Sequence, residues 1–402
     1  MRHPLAISLT ALCLCLAPAM AQDAPHAAAT SQAAGNHTGT PTGNPTGNPT
    51  DSPTDSPTGN PGNPEATAST PSPTKADKPT ETTLGEVVNT LRERITLSGY
   101  LQMGYTYEDD DESDPNTFEI KRAILIAKGK ITDRWTLNFM FSLSGTSKVL
   151  DCYTEYRVLN HGLTVRLGQF KPNFTIECPM SACDMELINR YSLATNYLCG
   201  VDGSDPLYGS NTGRDLGLMV HGDLLKGHLS YSLALMNGQG VNQKDKNDQK
   251  DVVGNLTVKP ISALTLSGSF VIGHGHVVAT SDVNPDLAVG DNYRRRRLAA
   301  GFKLLTKAID LRSEYLAGWD DDVHSDGCYA VAAVHLPHKV DFIAGVDYFN
   351  KSHDLGDKQT DYAAGLQYWF YPKCRIQVQY SYCHRSLSDN YNLLQAQLQV
   401  RF

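Results

Sequence analysis

From Ile95 to Phe402 the sequence alternates apolar and polar residues with a period of two. The alternation is clear in segments such as ITLSGYLQMGYTYE, WTLNFMFSLS and LLQAQLQVRF. A period of two places successive side chains on opposite faces of a β-strand. Because the pattern continues over about 300 residues without an amphipathic helical segment, the chain is predicted to be all-β.

Counting the alternating runs predicts sixteen strands, an even number. Connections after even-numbered strands are short, as in TDR and NHG, whereas several after odd-numbered strands are long and polar, as in DDDESDPN and GQGVNQKDKNDQ. Short turns at one rim and long loops at the other are typical of a transmembrane β-barrel of the outer membrane, with the short turns facing the periplasm. The predicted strands cover residues 95–108, 117–131, 135–144, 150–159, 163–170, 214–222, 228–237, 250–258, 264–273, 292–304, 309–318, 327–336, 340–349, 359–371, 374–384 and 391–402.

Aromatic residues are placed where two membrane interfaces are expected. In the predicted orientation Tyr105 and Tyr107 lie at the outer interface, and Trp135, Phe370 and Phe402 lie at the inner one. The alternative is a soluble β-sandwich or solenoid, but so many strands with aromatic ends fit lipid better. Phe402 at the end of an alternating strand also resembles the signal that the outer-membrane assembly machinery reads.

The N-terminal region predicts export. Residues 1–21 read as a signal peptide, with Arg2 before an apolar run and AMA as a cleavage site. Residues 22–83 repeat units such as TGNP and TDSP, which cannot build a core and predict a disordered linker rich in Thr, Pro, Gly and Asn. Residues 84–94 form a short amphipathic segment, and residues 95–402 form the barrel. The predicted location is the outer membrane of a Gram-negative bacterium.

The connection after the fifth strand is exceptionally long, running from Lys171 to Gly213. A loop of this length usually has a function, and we expect it to fold into the lumen as a constriction; a solvated acidic loop is the alternative. Between Pro172 and Gly213 it contains one arginine, Arg190, and the carboxylates Glu177, Asp184, Glu186, Asp202 and Asp205. Three of its residues, Cys178, Cys183 and Cys199, are candidates for stapling the loop in an oxidising compartment.

Four consecutive arginines open the predicted tenth strand. The period of two directs Arg295, Arg297 and Lys303 into the lumen, where guanidinium and ammonium groups attract anions. The intervening Arg294 and Arg296 are expected at the outer interface, where they can reach lipid phosphates. Two residues near the top of the fifth strand, Arg166 and Lys171, are further candidates for the basic lining, together with Arg190.

Candidate catalytic groups are few. Asp320, Asp321, Asp322 and His324 lie together on a predicted outer loop, but one such cluster is usually a hydrated loop. The sequence has no GxSxG or HExxH motif. We therefore expect no enzymatic activity, no cofactor and no metal site.

The segments EIKRAILIAKGKITDRWTLNFMFSLS, LDCYTEYRVLNHGLTVRLGQFKPNFTIE and GRDLGLMVHGDLLKGHLSYSLALMNGQG resemble the phosphate-selective porin O and P family of Gram-negative outer membranes. The resemblance implies a sixteen-stranded barrel, usually a homotrimer, with its third loop in the channel and basic residues that select phosphate. Here the third loop has one arginine among five carboxylates. A basic ladder along this loop therefore does not transfer to this sequence.

Together these features predict an outer-membrane porin that passes small hydrophilic solutes by diffusion and favours phosphate or other small anions. Its expected partners are those solutes, lipid and lipopolysaccharide, the assembly machinery and two further copies of the chain. Nucleic acid is not expected, since the formal net charge is −8. Two alternatives remain: a surface adhesion or envelope-tethering barrel that works through its TxxP segment, and an outer-membrane hydrolase.

Overall fold

The computed structural model describes residues 92–110, 116–145, 148–188, 191–201, 207 and 212–402. The predicted signal peptide, the linker and residues 84–91 lie outside the described residues. Within the described part no helix is both long and apolar enough to cross a membrane.

Sixteen strands form from the described residues. They are β1 (Ile95–Glu108), β2 (Asn116–Lys130), β3 (Trp135–Ser142), β4 (Lys148–Leu159), β5 (Leu163–Phe170), β6 (Asp215–Leu224), β7 (Leu229–Met236), β8 (Asp251–Ile261), β9 (Leu264–His276), β10 (Asn292–Leu305), β11 (Ile309–Asp320), β12 (Val323–Leu336), β13 (Val340–Ser352), β14 (Asp357–Tyr371), β15 (Cys374–Arg385) and β16 (Tyr391–Arg401). The described residues also form the α-helix α1 (Leu193–Leu198) and the short 3₁₀ segments Ala182–Asp184, Leu225–Gly227 and Pro337–Lys339, and residues 92–94 are helical just before β1.

The strands form one closed antiparallel barrel in chain order, in which β1 also pairs with β16. The predicted sixteen-stranded barrel is therefore confirmed. The largest difference lies between β11 and β12, where an outer loop was expected over residues 319–326. Both strands extend into this segment and leave only Asp321 and Asp322 as the turn. Cross-strand pairing of Trp319 with His324 accounts for the extension, since it continues the ladder to the turn.

The two faces of the barrel have opposite chemistry. Outward side chains such as Leu97, Phe118 and Leu167 are more than half exposed. Inward side chains such as Gln377 and Gln399 are almost completely buried. Apolar groups outside and polar groups inside invert the pattern of a soluble protein, and this arrangement suits a wall with lipid on one side.

The seam between β1 and β16 is closed by reciprocal backbone hydrogen bonds. Gly99 N–H donates to Phe402 O at 3.1 Å, and Phe402 N–H donates to Gly99 O at 3.0 Å. A Cβ atom on Gly99 would lie 2.7 Å from Cζ of the Phe402 ring, so only glycine fits beneath this ring. Tyr100 pairs with Arg401 in the same register.

An apolar core lies inside the barrel, between the wall and the connection from β5 to β6. The connection contributes Phe174 and the α1 residues Tyr197 and Leu198, all buried. The wall contributes buried residues that include Leu316, Tyr329 and Phe349. We call this connection the third outer loop (Lys171–Gly213), and its described residues are packed within the barrel as part of its core.

Candidate functional site

Backbone groups of the third loop are held by polar side chains of the barrel wall. Thr175 N–H donates to Ser269 Oγ at 3.1 Å, and Ile188 N–H donates to Gln379 Oε1 at 2.8 Å. Leu193 N–H donates to Asp347 Oδ2 at 2.7 Å. These anchors are on β9, β15 and β13, so the loop contacts widely separated parts of the wall.

A second set of anchors is formed by inward glutamines near the seam. Gln102 Nε2 donates to Ala182 O at 3.2 Å and also to Gln399 Oε1 at 2.9 Å. Gln399 Nε2 donates to Cys183 O at 3.3 Å, and Gln377 Nε2 donates to Glu186 O at 2.9 Å. The polar residues of the alternating segments in β1, β15 and β16 therefore provide a hydrogen-bonding surface that binds residues 182–186.

A further attachment is a buried ion-pair cluster that we call the arginine clamp, consisting of Arg312, Glu177 and Glu186. Arg312 Nη1 donates to Glu177 Oε1 at 2.6 Å, while its Nη2 donates to Glu186. Arg312 and Glu177 are each only a few per cent exposed. Glu177 Oε2 also accepts Ser192 N–H at 2.8 Å. One carboxylate thus joins the wall to the segment that begins α1.

A neighbouring carboxylate completes this attachment from the wall side. Both Glu314 oxygens accept Ile176 N–H, at 2.9 and 3.0 Å, and Tyr329 donates its hydroxyl to the same carboxylate at 3.2 Å. The alternation of β11 places Glu314 and Arg312 on the same inward face. The wall therefore presents a guanidinium and a carboxyl group side by side, each matched by groups of the loop.

The helix α1 attaches the C-terminal part of the third loop to the wall. Ser192 is its N-cap, with Oγ accepting Thr195 N–H at 3.2 Å. The helix packs its apolar side on β11 to β13, where the Tyr197 and Phe349 rings lie 5.2 Å apart. A capped helix with one apolar side can bind a wall of this kind without leaving its first N–H groups unpaired.

Arg295 and Arg297 of β10 lie on the inward face. Arg297 is 2% exposed, and its Nη2 contacts both Asp320 oxygens at 2.7 and 2.8 Å. Arg295 Nη1 lies 3.3 Å from Asp251 Oδ2, and its Nη2 donates to Tyr293 Oη at 2.8 Å. Each predicted anion-attracting arginine thus already has a carboxylate neighbour.

The other described basic candidates occupy three different environments. Arg166 pairs with Glu155 at 2.7 Å within the wall and lies 4.3 Å from the centre of the Tyr153 ring. Lys171 Nζ donates to Cys178 O at 2.7 Å and contacts the Tyr191 hydroxyl. Lys303 is partly buried, and its Nζ lies 3.6 Å from Met180 Sδ. The structure therefore does not bring the predicted basic residues together into one cluster.

The acidic candidates of the third loop are also separated. Glu177 and Glu186 meet at the arginine clamp, whereas Asp184 is largely exposed and lies 3.4 Å from Arg401 Nη1. Arg190, Asp202 and Asp205 lie outside the described residues. Among the described residues no disulfide is formed by Cys178, Cys183 or Cys199, so the cysteine staples of this loop stay a prediction.

A cavity of about 390 Å³ separates the loop from part of the wall. Its basic lining includes Lys121 and Arg122 on β2, and its acidic lining includes Asp347 on β13 and Asp361 on β14. Lys121 also pairs with Glu119 at 3.1 Å. This cavity has charges of both signs and borders the arginine clamp through Arg312 and Glu177.

Arg312 and Arg375 were missed as functional candidates. Arg375 is buried, donating to Met185 O at 2.6 Å and to Gln367 Oε1 at 2.7 Å. The alternation does predict that both arginines point inward, since each is a polar residue between outward apolar ones. Their partners could not be identified, because Arg312 and Glu177 are 135 residues apart in the chain.

The candidate catalytic cluster is divided by the fold. Asp320 faces inward and pairs with Arg297, while Asp321 lies in the turn and accepts Arg294 N–H at 2.8 Å. The ring of His324 stacks between Trp319 and His353, with centroid distances of 4.9 and 4.3 Å. Asp322 is exposed in the same turn.

Comparison with known proteins agrees with this architecture. The family model described as phosphate-selective porin O and P matches residues 95–271. No curated protein sequence matches the chain significantly.

Solved porin structures resemble the barrel at low sequence identity. OmpT of Vibrio cholerae in its trimer form is 12% identical with a TM-score of 0.55, over 77% of this chain and 99% of that chain. An anion-selective porin from Comamonas acidovorans is 11% identical with a TM-score of 0.57, over 77% and 99%. OmpF of Salmonella typhi in complex with daunomycin is 13% identical with a TM-score of 0.55, over 77% and 97%. At such identities the likeness shows the fold alone.

The family match covers β1 to β8 and most of β9. The resemblance that the sequence suggested is therefore confirmed: over residues 95–271 the chain matches the phosphate-selective porin O and P family, and its sixteen strands have the porin fold.

Proposed function

We propose that this protein is an outer-membrane porin of a Gram-negative bacterium, through which small hydrophilic solutes pass by passive diffusion. The observation that carries the proposal is the third loop, which the arginine clamp and the glutamines fix inside a closed sixteen-stranded barrel. A barrel of this size has an interior wide enough for water. A loop bound across that interior restricts which solutes fit, and this role requires no catalytic group.

The proposed solutes include phosphate and other small anions. This preference is supported by the description of the matching family and by the inward positions of Arg295, Arg297 and Lys303. The ion pairs of both arginines lower their attraction for a passing anion. Lys303 differs, because its ammonium group forms no ion pair with a carboxylate among the residues that the structure describes. We therefore place the strongest contribution to anion attraction at Lys303.

Reconstitution in a planar bilayer tests both parts of the proposal. We expect discrete channels, an anion-selective reversal potential in a KCl gradient, and block of chloride current by added phosphate. Lys303→Gln should weaken this block about tenfold, the loss of one charge-assisted contact. Lys307→Gln is the matched control, because Lys307 is an exposed lysine in the short turn that follows β10.

The outcomes separate the two parts. Channels that select cations, or a phosphate block that Lys303→Gln leaves unchanged, would contradict the proposed anion preference. Either result would still be consistent with a porin. Folded protein that forms no channels would contradict the porin itself. In that case deletion of residues 22–83 would test the tethering function.

The proposed assembly is a homotrimer in contact with lipid and lipopolysaccharide. The trimer form of the similar OmpT structure and the apolar outer face of this barrel support it. The aromatic Phe402 at the seam supports recognition by the outer-membrane assembly machinery. Native mass spectrometry of detergent-extracted protein tests the copy number, and a monomer under conditions that keep the barrel folded would contradict the trimer.

A further inference from the structure

Two arginines of β10 lie on the outside of the barrel, and we call Arg294 and Arg296 the outer arginine pair. Both are exposed, and they alternate with the inward Arg295 and Arg297. Leu298 continues the same outward face and is 47% exposed. The pair therefore lies where the apolar outer face of β10 gives way to the rim with the long loops.

Neighbouring strands place the outer arginine pair at the edge of the apolar surface. Arg296 is opposite Ile272 of β9 and Trp319 of β11, both of them outward and exposed. Arg294 is opposite His274, two residue pairs closer to the rim. Tryptophan on an outward face is typical of the interfacial region of a membrane. The guanidinium groups are thus at headgroup depth.

The inward and outward arginines differ in their partners. Arg295 and Arg297 each contact a carboxylate, Asp251 and Asp320 respectively. Among the described residues the guanidinium groups of Arg294 and Arg296 make no hydrogen bond or ion pair. The nearby Asp321 carboxylate instead accepts the backbone N–H of Arg294.

Cationic groups at an apolar edge require an anion or water as a partner. A planar guanidinium binds phosphate through two parallel hydrogen bonds, and two such groups on one strand can bind the two oxygens of one phosphate or two adjacent phosphates. Basic residues near a membrane surface are attracted to anionic headgroups.

We propose that the outer arginine pair binds the phosphorylated headgroup of a glycolipid in the outer leaflet. The occupant is argued from charge complementarity and from the headgroup depth of the site. The inference rests on the proposed function in one respect, since that function places the long loops at the cell surface. It does not depend on what passes through the lumen.

Binding to bisphosphorylated lipid A tests this proposal on the full-length, detergent-solubilised protein. The variant Arg294→Gln/Arg296→Gln should bind this lipid about tenfold more weakly than the parent. Lipid A without its phosphates should bind the parent equally weakly. The matched control is Arg134→Gln/Arg157→Gln, which removes two exposed arginines at the opposite rim, where Arg157 N–H donates to Arg134 O at 2.8 Å. Its affinity for lipid A should equal that of the parent.

Three results would overturn the proposal. Equal binding of phosphorylated and dephosphorylated lipid would show that the acyl chains carry the interaction. An equal loss in the control would show that net charge carries it. Inorganic phosphate that saturates the outer pair and displaces no lipid would show a free-ion site. Channel conductance should be unchanged in both double variants, so a failure here is distinguishable from a failure of the porin function.

Discussion

Replacing Arg312 by glutamine removes the cation that Glu177 and Glu186 share in the arginine clamp. Removing one partner of a buried ion pair destabilises by about 3–5 kcal/mol, because the remaining charge is left buried and uncompensated. Glu177, at 2% exposure, is such a charge. Since about 1.4 kcal/mol is a factor of ten, the ratio of docked to released loop should fall by roughly 100- to 4,000-fold.

Limited proteolysis with trypsin measures this release, because the third loop contains Arg190 as a cleavage point, whereas the bond between Lys171 and Pro172 resists trypsin. We expect Arg312→Gln to be cut in the loop far faster than the parent, and to show larger or noisier single-channel currents. The double variant Arg312→Gln/Glu177→Gln should regain much of the protection, since it removes the uncompensated charge as well.

Arg166→Gln serves as the matched control. Among the described residues Arg166 hydrogen-bonds only Glu155 of the wall, so its loss should leave the loop docked. Unchanged proteolysis and conductance in Arg312→Gln would refute the reasoning. A double variant that is cut faster than the single one would also refute it, because the uncompensated charge would then not be the cause.

Three further changes test other parts of the structure. Ser192→Ala removes the N-cap of α1 and destabilises the docked loop by about 1 kcal/mol, so loop cleavage should rise about fivefold in the same assay. An unchanged cleavage rate would contradict a stabilising role of this cap. Burial raises the pKa of the Cys183 thiol to about 11, so at pH 8 only about one thiol in a thousand is the reactive thiolate. Peptide mapping after maleimide treatment should find Cys183 labelled in denatured protein and unlabelled in folded protein. Gly168→Ala places a Cβ atom 2.3 Å from Cys152 O, so less of the protein should fold into the barrel. The folded fraction is measured on gels as the protein whose mobility changes on heating. In Gly268→Ala the added Cβ atom meets open space, so this control should match the parent.

The alternation made the barrel predictable because every strand must satisfy the same two environments, lipid outside and water or polar groups inside. It also predicted that Arg295 and Arg297 point inward while Arg294 and Arg296 point outward. The docking of the third loop was predictable only as an expectation from its length. Its anchors, such as Arg312 with Glu177, join residues far apart in the chain, and no local pattern encodes such a pair.

Local patterns also failed to predict the end of a strand where the strand continues through residues that are typical of a loop. Asp320, Asp321 and Asp322 read as a hydrated loop, yet the ladder continues to Asp320, whose charge is compensated by Arg297. An aspartate near a strand end is therefore poor evidence for a loop when a buried arginine lies on the adjacent strand. The sequence could not reveal this because the compensating partner is 23 residues away.

The seam between Gly99 and Phe402 has a consequence for how the molecule reaches its native state. Tyr100 and Arg401 are paired although about 300 residues separate them, whereas every other strand pair joins neighbours in the chain. Loop-closure entropy favours the local hairpins, so the seam should form last. Until then β1 and β16 are two open strand edges, which tend to pair with other chains. The rate at which this final pairing occurs therefore determines how long the nascent barrel is exposed to aggregation.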